Sequence, residues 1–130
     1  MNRRGLIVAA ALLATPSLGR AAEERKKGGG ETFIQLPTLS ATVFRPDGRR
    51  GVMTVEVGID VQDAGLRARA NQSSPRLQAA FAEVLRVYAA GLPPGAPPNA
   101  DYLGAAFQRQ TDTVLGRQGA RLLLGTILVN

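Results

Sequence analysis

The stretch from Gly51 to Val61 constrains this chain more than any other. Met53, Val55, Val57, Ile59 and Val61 recur at every second position, with Thr54, Glu56, Gly58 and Asp60 between them. A period of two puts successive side chains on opposite faces of an extended backbone, so the run predicts a strand buried on one face and wet on the other. Such a strand needs neighbours for its backbone, and the preceding segment supplies one. Leu39, Ala41 and Val43 alternate within residues 39–44, and Pro46-Asp47-Gly48 separates the two runs. Proline presets φ for a turn and glycine accepts φ > 0, so the two runs predict a hairpin. Phe33-Ile34-Gln35-Leu36 reads as a further short strand, stopped by Pro37.

The second half changes period. Ser74-Pro75 reads as an N-cap followed by proline at the first helical position. Leu77, Phe81, Val84, Leu85 and Tyr88 then mark one helical face, through about Ala90, with Gly91 ending the helix. Pro93-Pro94-Gly95-Ala96-Pro97-Pro98 cannot be helical and should be extended and stiff. Asn99 is placed to cap a second helix in which Leu103, Phe107 and Val114 share a face, with Gly116 and Gly119 breaking it. The run from Arg121 to Val129 suits a strand buried on both faces, too hydrophobic for an exposed edge. The expected fold is therefore α+β in two layers: an antiparallel sheet of hairpin and C-terminal strand covered by two helices, in the order βββααβ.

Ahead of this domain, Asn2-Arg3-Arg4 is followed by an apolar run, Leu6 to Ala14, and then by Thr15, Pro16 and Ser17. Gly19-Arg20-Ala21 places small residues before a cut between Ala21 and Ala22. That layout is a secretory signal over residues 1–21. Its apolar stretch is shorter than the roughly 20 residues a spanning helix needs. Arg3-Arg4-Gly5-Leu6-Ile7 also resembles a twin-arginine export signal. The expected location is periplasmic or exported; an inner-membrane anchor facing the periplasm is the alternative if the leader is retained. Residues 22–31, charged and Gly-rich, read as a flexible tether, and residues 32–130 as the folded domain. The leader carries three arginines and no acid, so its removal lowers the formal charge from +6 to +3. A mildly basic domain outside the cytoplasm implies no nucleic-acid partner.

The chain has no cysteine and no histidine, which removes disulfides, thiol chemistry, the usual zinc sites and histidine-based triads. Asp60 and Asp63 at a strand end, with Glu56 nearby, are a carboxylate set that could serve acid–base work or a cation; solvated or turn-capping acids are the simpler reading. The serines beyond the leader are Ser40, Ser73 and Ser74, while both lysines, Lys26 and Lys27, lie in the tether, so no serine–lysine pair is in prospect. Gly28-Gly29-Gly30 leads to no phosphate-loop lysine. Pro94 to Pro97 fits PxxP, a motif whose readers are largely eukaryotic and intracellular. Tyr88, Phe81 and Phe107 fall on core faces. Arg49 and Arg50, beside the hairpin turn, are the candidate contacts for an acidic partner. No catalytic residue, cofactor or metal is expected.

The order of these segments resembles one family. Phe33-Ile34-Gln35-Leu36-Pro37 followed by residues 39–44 is similar to the opening of the periplasmic domain of FliL, the flagellar basal-body-associated protein. Gly51 to Val61 with Asp63 resembles that family's next strand and acidic turn. Ser74-Pro75-Arg76-Leu77-Gln78-Ala79-Ala80 resembles its helix start. Asp112, Val114-Leu115 and Gly116, with the closing apolar strand, agree with its end. The likeness spans roughly residues 32–130. It differs in two places: members keep a transmembrane helix where this leader looks cleavable, and the family's Val-Asn segment is Ala41-Thr42-Val43 here. The resemblance implies a stomatin-like, non-enzymatic domain that contacts stator or basal-body proteins in motility and can self-assemble. A small exported ligand-binding or envelope-structural protein remains the alternative.

Overall fold

The alternating run forms the central strand of a four-stranded antiparallel sheet. The computed structural model describes residues 30–130, of which Thr32–Asn130 form a compact unit. The leader, the Ala21–Ala22 cut and the tether through residue 29 lie outside the described residues. The elements are β1 (Phe33–Gln35), β2 (Leu39–Phe44), β3 (Arg50–Val61), α1 (Ala64–Gln72), α2 (Ser74–Gly91), α3 (Ala100–Leu115) and β4 (Ala120–Val129). Among the described residues no helix is long and apolar enough to cross a membrane.

β3 pairs with three strands. β4 runs along it from Met53↔Val129 to Val61↔Ala120. β2 pairs with its first half, Leu39↔Val55 to Phe44↔Arg50, and β1 with its second, Phe33↔Asp60 to Gln35↔Gly58. β1 and β2 therefore share one edge of β3, end to end, and β4 takes the other. The predicted hairpin is present, closed by Arg45 N–H donating to the Arg49 carbonyl at 2.8 Å, with Gly48 at φ 82° in the turn.

The odd-numbered residues of β3, from Met53 to Val61, are all fully buried, as the alternation requires. Leu77, Phe81 and Leu85 of α2 and Leu103, Phe107 and Leu115 of α3 meet them, and the Phe81 and Phe107 rings pack with centroids 5.1 Å apart. Each such side chain stabilises the fold by about 1.5–3 kcal/mol on burial. The helices cover one face of the sheet. The other face, carrying Phe44, Val52 and Leu128, faces solvent.

The α+β two-layer architecture is as expected, with one addition and three corrections. The addition is α1, which buries only Leu66 and Ala70 and so shows almost no apolar period. The first correction concerns β4. It stands at a sheet edge, and Leu128 is 57% exposed, because β1 and β2 already occupy the other side of β3 and the helices cover one face only. Second, Ser74 is not the cap of α2. Ser73 precedes the helix, its N–H still bonded to Arg69 and Ala70 carbonyls of α1, and the Ser74 hydroxyl accepts from Gln78. The two helices abut so closely that no extended cap residue fits between them. Third, the proline segment is not uniformly extended: Ala96 N–H reaches the Pro93 carbonyl at 3.0 Å, turning the chain at Gly95 with φ 77°. Glycine makes that φ accessible. Asn99 caps α3 as expected, its side chain accepting from Tyr102 N–H at 3.0 Å, and Gly116 ends it at φ 81°.

Candidate docking groove

Antiparallel pairing alternates between residues that bond to the neighbour and residues that point the other way. On β3, Val52 exchanges both of its bonds with Asn130, while Val57 O accepts from Leu36. Even positions therefore serve the β4 side and odd positions the β1–β2 side. Across the hairpin, Leu39, Ala41 and Val43 bond inward to β3. Ser40, Thr42 and Phe44 turn their N–H and C=O groups outward, to the free edge of β2.

The two outer edges are treated differently. On β4, the Gln108 side chain of α3 behaves as a strand residue would: its Oε1 accepts from Leu122 N–H at 2.8 Å and its Nε2 donates to the Ala120 carbonyl at 2.8 Å. Asp112 Oδ1 also accepts from Nε2, at 3.0 Å, and fixes the amide's orientation. Further along, Glu56 Oε1 accepts from Thr126 N–H at the irregularity in the β3–β4 register. On β2, the Phe44 carbonyl accepts from Gly95 N–H at 3.2 Å, so the proline segment closes that end. The outward groups of Ser40 and Thr42 meet no hydrogen-bonding partner among the described residues.

Beside this open edge lies a groove of about 540 Å³ lined by Ser40, Ala41, Thr42, Phe44 and Arg50 of the sheet and by Ala82, Arg86 and Ala90 of α2. The helix residues recur every fourth position, hence on one stripe, and two of them are too small to reach the strand. The lining holds two cations and no acid. Arg86 is bound in bidentate fashion by Glu83 one turn back, with contacts of 2.6 and 3.0 Å. That hydrogen-bonded pairing holds the Glu83 carboxyl below its ordinary range and raises the guanidinium. Arg50 makes no ion pair among the described residues.

Of the residues singled out by sequence, the structure separates Arg49 from Arg50. Arg49 stays at the hairpin tip, its N–H on Asp47 Oδ1, whereas Arg50 opens β3 opposite Phe44 and lines the groove. Asp60 and Asp63 do not act together. Asp60 accepts from the Thr32 hydroxyl and from Gln62, which lower its pKa in that order of weight. Asp63 caps α1 by accepting from Leu66 N–H at 2.8 Å and pairs with Arg117 at 2.9 Å; the cap is the main cause of its lowered pKa. Among the described residues no group of carboxylates is arranged to hold a metal ion. Ser40 lies on the groove, Ser73 and Ser74 at the α1–α2 junction. Gly28 and Gly29 fall outside the described residues. Phe81 and Phe107 are core, and Tyr88, half-buried, packs against that core, stacks on Tyr102 at 5.4 Å and accepts from Asn99 N–H through its hydroxyl.

No known family model, curated protein or solved structure matches the chain. Its groove must be read from its own geometry. Sequence reading missed Arg86, Ala82, Ala90 and Gln108. The i, i+4, i+8 spacing on α2 was a visible signal, but nothing local says which strand that stripe faces.

Proposed function

We propose that this is an exported, non-enzymatic interaction protein that engages a protein of the flagellar motor or the cell envelope, as the resemblance to FliL-like domains implies. The observation that carries the reading is the open Ser40–Thr42 edge of β2 above the α2 groove. An exposed strand edge is a template for another chain, and proteins usually block such edges. Gln108 closes the β4 edge at Ala120 and Leu122, and the proline segment stops short of Thr42. Among the stretches left open, the one at Ser40 and Thr42 borders the groove that carries Arg50 and Arg86, which favours it as the place of attachment. A ligand held between helices and sheet is disfavoured, because Phe81, Phe107, Met53 and Leu85 fill that layer.

The test is deletion of the gene, followed by swimming in soft agar and growth in liquid culture. Impaired swimming with normal growth is expected; unimpaired swimming in several media rules out the motility role. Cell fractionation, with mass measurement of the mature N-terminus, checks export and cleavage at Ala21–Ala22. A retained leader would move the protein to the inner membrane, facing the periplasm.

A further inference from the structure

We infer that the β2 edge takes an extended, carboxylate-bearing segment of a partner protein as an added strand, laid between β2 and α2. The inference rests on the interaction-protein reading above and names the chemistry of its partner. Ser40 and Thr42 offer two N–H donors and two C=O acceptors in strand spacing, which only a backbone in extended conformation can match. A strand added there presents alternate side chains to two surfaces. One row faces α2 over Ala41, Ala82 and Ala90, where small residues leave room for aliphatic side chains, with Arg86 between the two helix alanines. The other row lies on the outer sheet face beside Ser40, Thr42 and Phe44, with Arg50 at its end.

The two guanidinium groups thus flank the added strand from opposite sides. Neighbouring carboxylates on one extended segment point to opposite sides as well, so adjacent acids answer both arginines. Arg86 already has Glu83, but that pair is largely exposed, with side-chain accessibilities of 66% and 62%, and an exposed pair exchanges partners at little cost. Arg50 has no competing acid among the described residues. At the hairpin tip, Arg45 and Arg49 extend the positive field beyond the groove, offset in part by Asp47.

The test uses the purified full chain and two fluorescein-labelled octapeptides of β-branched residues. They differ only at two adjacent central positions, glutamates in one and lysines in the other. The glutamate peptide is expected to bind saturably by fluorescence anisotropy, and the lysine peptide at least about tenfold more weakly. Combining Arg50→Glu with Arg86→Glu is expected to reverse the preference. Thr42→Pro deletes one outward N–H while leaving the β2–β3 ladder whole, and is expected to abolish binding of the glutamate peptide; Thr42→Val is expected to keep it.

Lack of saturable binding, equal binding of the two peptides, or unchanged binding to Thr42→Pro overturns the inference. So does self-association of the chain that Thr42→Pro abolishes, which assigns the edge to a second copy. If Thr42→Pro fails to fold, the charge reversal decides alone, since both arginines are surface groups. Swimming separates this inference from the reading beneath it. A doubly reversed chain that fully restores swimming to the deletion strain overturns the groove and leaves the interaction role standing. A deletion strain that swims normally overturns the role itself.

Discussion

The two outer edges of the sheet differ in how their backbone groups are satisfied. β4 is the more hydrophobic strand, yet the start of its edge, at Ala120 and Leu122, is answered by a side chain, Gln108, that reaches across from α3. β2 is shorter and carries Ser40 and Thr42, yet its edge is open over a groove. Hydrophobicity alone would have assigned the roles the other way round. What decides them is which helix stands beside each strand and what that helix carries: a glutamine that bonds the backbone at the start of β4, and at β2 two alanines too short to do so with an arginine between them that is held by Glu83.

The largest effect that should strike both edges comes from the layer beneath them. Phe81→Ala is expected to destabilise the domain by about 3–5 kcal/mol, read by urea unfolding, because the ring is fully buried against Phe107. A loss under about 1 kcal/mol would mean that α2 does not anchor the groove. Gln108→Leu is next. It keeps the bulk but leaves Leu122 N–H and the Ala120 carbonyl without their partner, at about 1–3 kcal/mol, and speeds amide exchange at Leu122. If exchange there stays slow, the contrast between the edges is not made by this residue.

Gly95→Ala probes the closed end of β2. Glycine at φ 77° gives way to a residue that resists it, and the new Cβ would lie 2.7 Å from Pro46 Cγ. A cost of about 1–2 kcal/mol is expected, with release of the Phe44 carbonyl and a longer open edge. The smallest effect is that of acid. Asp60 and Asp63 both have folded pKa values depressed below the ordinary aspartate value of about 4. Their contribution is complete above that value and is lost as pH falls through the depressed ones. Urea midpoints should hold steady from neutral pH to about 5 and decline below 4, with a smaller decline in Asp60→Asn. Asp60 joins β3 to Thr32 and Asp63 joins α1 to Arg117. Glu83, likewise depressed by its pairing with Arg86 beside the groove, titrates over the same range, so Asp60→Asn is what isolates the share of the β3 end.

Much of the secondary structure was legible because its causes are local. The alternation in β3, the 3.6-residue period of α2 and α3, the Asn99 cap and the Gly116 stop each depend on residues within about four positions of one another. α1 was not legible, since two buried residues in nine make no period. Ser74 misled because Ser-Pro before an apolar period is a cap only when an extended residue precedes it, and here another helix does. Of the groove, Arg50 was visible beside the turn; Arg86 was hidden among ordinary surface charges on a helix.

By itself, then, the sequence determined that one strand would be half-buried, that a hairpin would precede it and that two long amphipathic helices would follow. It also excluded chemistry that requires cysteine or histidine. Only the tertiary structure decided that β4 would stand at an edge, that Gln108 would answer that edge from twelve and fourteen residues away, and that α2 would leave β2 open. The physical reason is that strand periodicity specifies which face of a strand is buried but not which strand lies beside it. Neighbours are chosen by the packing of the whole layer, and that choice decides which backbone groups stay unpaired.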